Sequence, residues 1–288
     1  MSGYNGFIGT SLTSKLKKYN IIGISDKNKI ATKNVTPLIK NITKIKNSDI
    51  KSSAKTIIHL AAVSDITFCN NNPNRCFEVN VGGTNKLLEM ARIKDADVIF
   101  ASSSHVYNNP VKLPIKEDDK ISPSSIYSSS KIMAETLCKT YSEVYGLNIT
   151  ILRLFSVYGP NSPKHNLVLN IIKQIKTKNE ILLGNINTKR DFVYIDDVVD
   201  AFYNVTTSQK KGFNIYNIST NKSTSIKEIS KKIMKFNKRK IPIIIDKNKI
   251  RKNDILEIRG TYSKFKKDYN WKPKIELEEG IRKSFKKI

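Results

Sequence analysis

The stretch Gly3-Tyr4-Asn5-Gly6-Phe7-Ile8-Gly9 decides the fold class. Its GxxGxxG spacing puts glycines where a backbone must turn tightly, approach a pyrophosphate closely and pack a helix on a sheet, with the phosphates over the helix N-terminus. Three glycines can also be a plain turn, so the flanking pattern has to arbitrate. Ile8, Leu12 and Leu16 stand four apart, a helical stripe, and the apolar run Ile21-Ile22-Gly23-Ile24 follows, ending at Asp26. Asp26 falls 23 residues after Gly3. A carboxylate at the end of that strand accepts hydrogen bonds from ribose hydroxyls and repels a 2′-phosphate, which favours NAD over NADP.

Working outward, apolar runs at Thr56 to Leu60, Val98 to Ala101 and Ile149 to Leu152 alternate with helical patterns at Val81 to Ala91 and Tyr127 to Val144. Strands alternating with helices imply an α/β fold, a doubly wound parallel sheet of the Rossmann type. After Gly159-Pro160 the character changes: Asn161 to Lys164 reads as a loop and Leu167 to Ile175 as a helix. The sequence therefore divides into an NAD-binding domain over residues 1–158, with 189–219 returning to it through the β-like run Phe213 to Ile218. A smaller substrate-binding lobe takes 159–288.

The chain has 288 residues, 39% hydrophobic and 26% charged, enough to bury a core. A formal charge of +26 invites a nucleic-acid reading, but the lysines are spread along the chain and greatly outnumber the arginines, as compositional bias would produce. The interleaved stretch Lys264-Phe265-Lys266-Lys267 with Tyr269, Trp271 and Lys272 is read instead as a helix that buries Phe265 and Tyr269 and ends near Pro273. Runs such as Ile241 to Ile245 are too short to span a bilayer and no basic-then-apolar leader is seen, so a cytoplasmic protein without nucleic-acid or membrane partners is expected. Cys69, Cys76 and Cys138 lack CxxC spacing and read as reduced thiols, and no histidine shows a metal-ligand pattern, so no metal is expected.

Eight ordered segments carry a resemblance. They are Gly3 to Gly9; His59-Leu60-Ala61-Ala62; Asn80-Val81-Gly82-Gly83-Thr84; Ser102 to Tyr107; Tyr127 to Lys131; Arg153-Leu154-Phe155 through Pro160; Arg190 to Asp197; and Trp271-Lys272-Pro273 with Leu277 to Gly280. The chain resembles the extended short-chain dehydrogenases/reductases of the NAD-dependent epimerase/dehydratase family from Gly3 to about Gly280, with a likeness to UDP-glucose 4-epimerases. The resemblance implies catalytic Ser103, Tyr127 and Lys131. It implies a cofactor site made of Gly3, Gly6, Phe7, Ile8, Gly9, Asp26, Asn41, Ile42, Leu60, Ala61, Ala62, Asn80, Tyr127, Lys131 and Phe155. Substrate contacts are implied for Ser103, Asn166, Leu167, Arg190 and Arg251, the arginines because a guanidinium fork suits the diphosphate of a nucleotide-sugar. A homodimer is also implied.

Tyr127 and Lys131 lie four apart on one face of the expected helix. A phenol with an ordinary pKa of about 10 must be lowered by about three units, roughly 4 kcal/mol, to act as a base near pH 7. Lys131 and a positive nicotinamide are the cations that can do it. Tyr127 then takes the proton of a sugar hydroxyl as its carbon gives up hydride, with Ser103 steadying the oxygen. Return of hydride to the other face is epimerisation, whereas loss of water is dehydration. Ser104 and His105 stand where the family's 4,6-dehydratases carry Asp-Glu, which disfavours dehydration; a reductase or a non-catalytic NAD-binding relative are the other readings. Three departures from the family stand out: Asn41-Ile42 in place of an acidic residue near the adenine, Ser128 in place of glycine after the tyrosine, and only Met1 and Ser2 before the first glycine, where a whole central strand is expected. The expectation is that roughly five to ten apolar-rich residues stand upstream of Met1, since loss of that strand would expose the edges of both neighbours.

Overall fold

The computed structural model describes residues 1–27, 33–51, 53–237, 239–250 and 254–285. The chain divides into two compact units: Met1–Tyr107 with Ile121–Leu154 and Val199–Tyr216, and Asn108–Lys120 with Phe155–Val198 and Asn217–Ile288. Of the segment 189–219, residues 199–216 lie in the first unit and the remainder in the second.

The first unit is built on parallel strands. β1 (Ile21–Ser25) pairs with β2 (Val35–Ile39), and β3 (Thr56–His59), β4 (Asp97–Ser103) and β5 (Ile149–Leu154) pair in that order, with the strand Phe213–Ile218 beyond β5. β4 and β5 are buried almost throughout, which explains why they read as continuous apolar runs without alternation. β2 escapes that pattern: it is the edge strand and holds Pro37, whose missing N–H is tolerated only there. Helix α1 (Phe7–Lys15) follows the glycine turn. Two short helices, α2 (Ile66–Asn71) and α3 (Pro73–Phe77), lead through a wide helical turn at Glu78–Gly82 into α4 (Gly83–Lys94). α5 (Ile126–Tyr145) has buried Ala134 and Cys138 in the same core as Leu87, Leu88 and Ala91 of α4.

The space between β1 and β3 is filled at its carboxyl end by Met1 and Ser2. Ser2 forms parallel bridges to both Ile24 and His59. Its N–H donates to the Ile58 carbonyl at 2.9 Å and its carbonyl accepts from Leu60 at 3.2 Å, while the Ile24 N–H donates to the Met1 carbonyl at 2.9 Å. The α-amino group of Met1 donates to the Ile22 carbonyl at 2.7 Å. The edges of β1 and β3 beside the glycine turn are thus paired by Met1 and Ser2.

In the second unit the strands are short. Ser156–Tyr158 pairs in parallel with Phe192–Tyr194, Ile181–Leu183 with Ile243–Ile245, and Lys189–Arg190 lies between Thr224–Ser225 and Glu257–Ile258. Asp191 is fully buried and accepts from the N–H groups of Thr220, Asn221 and Gly260 and from the Thr220 hydroxyl. Burial outweighs these bonds and pushes its carboxyl up to about 6. Asp197 makes a second clamp, accepting from the backbone of Lys274 and Ile275, while Trp271 donates to its carbonyl. The helix expected around Phe265 runs from Ser263 to Tyr269, buries Phe265 and closes at Asn270 in the left-handed conformation.

Candidate active site

The glycine turn, Asp26, the loop after β3 and Ser103 all lie at the carboxyl ends of the parallel strands of the first unit, the end at which open α/β sheets bind ligands. Two glycines are demanded by space. Gly3 has φ +68°, and a Cβ there would sit 2.8 Å from the Ala61 nitrogen. A Cβ on Gly9 would come within 2.2 Å of the Gly3 carbonyl oxygen and 2.7 Å of the Tyr4 backbone. The turn is therefore a cradle that any side chain would fill. Gly6 caps α1 without a side chain of its own, so the amides of the first helical turn keep no side-chain acceptor and suit a pyrophosphate. Phe7 and Ile8 open that helix. Asp26 stands exposed one residue past β1. Asn41 caps the short turn Ile42–Lys44, its side chain accepting from the Thr43 backbone at 3.1 Å, and Ile42 packs in the core with Gly83 against it.

The loop Leu60-Ala61-Ala62 is held by a relay through His59. The Ala61 N–H donates to the Ser2 hydroxyl at 3.2 Å, and Ser2 lies 2.8 Å from His59 Nδ1. On the other side His59 Nε2 lies 3.0 Å from the Thr84 hydroxyl, which donates to the Asn80 carbonyl at 2.6 Å. Thr84 has spent its one hydrogen, so Nε2 carries the proton and Nδ1 accepts from Ser2. Burial foremost, with the positive charges of Lys131 and the N-terminus, pushes His59 down to about 3, so the ring is neutral. Asn80 spends its side chain on the same loop: it accepts from the Val63 N–H at 2.8 Å and donates to the Val63 carbonyl at 3.0 Å and the Ser130 hydroxyl at 2.9 Å. The roles of His59 and Thr84 follow no spacing in the sequence.

Helix α5 presents Tyr127 and Lys131 on one face through their i, i+4 spacing, and Ser125 caps it. The Ser125 hydroxyl accepts from the Ser128 N–H at 3.1 Å, and the Ser128 hydroxyl accepts from the Ser125 N–H at 2.8 Å. Ser128 in place of glycine is thus half of a capping box. The Tyr127 ring packs on Cys69 and Cys76 and lies edge-on to His105 at 6.1 Å. Ser103 accepts from the His105 N–H at 3.2 Å, and its hydroxyl lies beside the Tyr127 phenol, where it favours the phenolate. Lys131 donates to the Ala101 carbonyl at 2.8 Å, with its ammonium 4.7 Å above the Phe100 ring. Ser103, Tyr127 and Lys131, all buried, are therefore brought together at the end of β4. Burial pushes Tyr127 up to about 12 against the lowering influence of Ser103, and burial pushes Lys131 down to about 8.

The remaining residues lie in the second unit. Asn166 caps the helix Leu167–Thr177, accepting from the Leu169 N–H at 3.3 Å and donating to the Val157 carbonyl at 2.8 Å. Leu167 is half-buried at the head of that helix. Phe155 is buried against Gly260, where a Cβ would strike its ring. Arg190 meets Asp254 at 2.7 Å and donates to the Ile255 carbonyl at 2.8 Å. Arg251 lies outside the described residues. Among the described residues no group of three or more His, Cys, Asp or Glu is arranged to hold a metal ion.

A glycine cradle at a helix N-terminus, an acidic residue past the next strand and a Ser-Tyr-Lys cluster at the end of β4 define an α/β protein of the dinucleotide-dependent class. Residues 1–219 match the NAD dependent epimerase/dehydratase family, and the chain belongs to that family. A Methanocaldococcus jannaschii protein with the provisional name UDP-glucose 4-epimerase is 33% identical over 98% of this chain and 95% of its own length. A UDP-glucuronate 4-epimerase of Thermodesulfobacterium geofontis is 32% identical over 85% of this chain and 76% of its own. The solved structure of the Thermotoga maritima UDP-glucose 4-epimerase with UDP-glucose superposes with a TM-score of 0.89 at 25% identity, covering 99% of this chain and 96% of that one.

Proposed function

We propose that the protein is an NAD-dependent UDP-sugar 4-epimerase acting through a transient 4-keto sugar. The observation that carries the reading is the buried cluster of Ser103, beside the Tyr127 phenol, with Lys131 one helical turn further along α5. The glycine cradle at α1, with Asp26 and the Leu60-Ala61-Ala62 loop, would hold NAD, which when bound supplies reversible hydride acceptance and a positive charge beside the phenol. Tyr127 takes the proton from the sugar C4 hydroxyl and returns one to it after the sugar has turned over. Ser103 donates to the oxygen as its charge changes, and Lys131 orients the nicotinamide ribose. Arg190, Asn166 and Leu167, with Arg251, are assigned to the nucleotide diphosphate; Asn166 and Arg190 also make the structural contacts described above. Ser104 and His105 supply no carboxylate pair for dehydration, which favours epimerisation. Incubation with UDP-glucose, UDP-galactose and their N-acetyl and uronate forms tests this: one C4-epimer pair should interconvert to equilibrium, and conversion of none of them would refute the reading.

The proposal extends to cofactor choice. With Asp26 exposed past β1, NAD should bind at least tenfold more tightly than NADP, since a desolvated like charge against a 2′-phosphate costs more than about 1.4 kcal/mol. Asp26→Ser should narrow that gap in a titration of both dinucleotides, and equal affinities in the wild type would remove Asp26 from the ribose. The proposal also places the enzyme in the cytoplasm in carbohydrate biosynthesis. Buried free thiols support that setting, and among the described residues no helix is long and apolar enough to cross a membrane. A homodimer is supported by the exposed apolar side chains of Ile93 on α4 and Met133, Val144 and Tyr145 on α5, a face a second copy would cover.

A further inference from the structure

One more turn along α5, Glu135 continues the stripe of Tyr127 and Lys131, and it is buried as deeply as they are. Its carboxylate receives three contacts from Arg153 on β5: Nε to Oε1 at 3.1 Å, Nε to Oε2 at 3.2 Å and Nη2 to Oε2 at 2.7 Å. Oε1 also accepts from the Ser102 hydroxyl at 2.5 Å. Arg153 is fixed in turn by donating to the Tyr107 hydroxyl at 2.7 Å, with its guanidinium 4.9 Å above that ring. Two successive residues of β4 are thereby tied to two successive turns of α5: Ala101 to Lys131 and Ser102 to Glu135. A fully desolvated ion pair returns little net stability for its desolvation. What it supplies here is register and charge beside the reacting groups.

We propose that Glu135 is a positioning residue for the reaction: clamped by Arg153, it fixes the Ser102–Ser103 end of β4 against α5, and its carboxylate keeps the neighbouring Lys131 an ammonium ion. The proposal rests on the reading of Lys131 as the cation that holds the nicotinamide ribose. Burial pushes Lys131 down to about 8, and the charge of Glu135 is the largest influence opposing it. The other groups around Lys131 do not take over that role. His59 on β3 is neutral, the thiols of Cys69 on α2 and Cys138 on α5 are pushed up by burial, Cys76 on α3 lies beside Cys69, and Tyr127 is pushed up to about 12. Arg153 pairs with Glu135 at 2.7 Å.

Two readouts test this in the full-length protein: the pH dependence of kcat, and NAD affinity measured by calorimetry across the same range. Glu135→Gln should move the alkaline loss of both to lower pH by about one unit, the effect of removing one nearby opposite charge. Because this variant strands a buried guanidinium, the double variant Glu135→Gln/Arg153→Gln is the decisive one. It should fold and bind NAD near pH 6 yet keep the displaced alkaline limb. Ser102→Ala, which cuts the tether and leaves the charge, should lower kcat severalfold with the limb unmoved. A double variant whose kcat and NAD affinity both follow the wild-type pH profile would overturn the proposal and leave the pair a packing element. Lys131→Met that binds NAD as the wild type does at every pH would instead overturn the reading of Lys131 on which the proposal stands.

Discussion

Tyr127→Phe should lower turnover by about 10²- to 10⁴-fold while leaving the denaturation midpoint and NAD affinity close to those of the wild type. The substitution removes one oxygen and keeps the ring, and the ring is what packs on Cys69 and Cys76. The lost oxygen is the atom that lies beside Ser103. Burial in the protein pushes this phenol up to about 12, the wrong direction for a base. Wild-type turnover should nevertheless show an acid limb with an apparent pKa well below 10. The positive charge brought by the bound dinucleotide supplies the lowering that burial opposes. A Tyr127→Phe enzyme with full turnover would exclude this residue as the base. Steady-state kinetics over pH, with chemical denaturation of both proteins, decide the point.

The second large effect concerns acid stability and His59. The buried ring is pushed down to about 3 from its ordinary 6.5, by burial foremost and by the positive charges of Lys131 and the N-terminus. A base whose folded pKa lies below its unfolded one binds its proton mainly in the unfolded state. The stability it supports is therefore fully present above pH 6.5 and is lost progressively as the pH falls toward 3. At about 1.4 kcal/mol per unit, the loss attributable to this group reaches the order of 4 to 5 kcal/mol. His59→Gln should be less stable than the wild type at pH 7, and its stability should fall less steeply between pH 6 and 4. Denaturant titrations at successive pH values measure the difference in slope, in which contributions common to both proteins cancel. Parallel slopes would mean that the ring accepts a proton in the folded state without penalty.

The first unit was largely legible in the sequence because its signals are local. The glycine spacing, the stripe Ile8-Leu12-Leu16 and the apolar runs that became β3, β4 and β5 each declare an element within a dozen residues. The capping box Ser125–Ser128 and the Tyr127–Lys131 stripe of α5 are local in the same way. β2 did not declare itself, since Pro37 interrupts it and it is held through its pairing with β1. Strands of two or three residues in the second unit are too short to show a period. What escaped at the site are contacts made across the chain: His59 with Ser2, 57 residues away, Glu135 with Arg153, 18 away, and Arg190 with Asp254, 64 away. Spacing carries no information about such pairs; packing of the sheet and helices creates them. The phenol was expected to be lowered by Lys131 together with a positive nicotinamide; that burial pushes both groups the other way was not legible, because the sequence does not report burial.

The most direct test follows the hydrogen at the sugar C4. UDP-glucose carrying tritium at C4 is incubated with the enzyme, and the products are separated by stereochemistry while NADH absorbance is followed. If UDP-glucose belongs to the pair that the substrate panel shows interconverting, UDP-galactose should form with the tritium still at C4, none in water and no net NADH. If another pair interconverts, the same result is expected for its C4-labelled member. Tritium released to water, or NADH accumulating in proportion to product, would contradict epimerisation by removal and return of one hydride at the Ser103-Tyr127-Lys131 site.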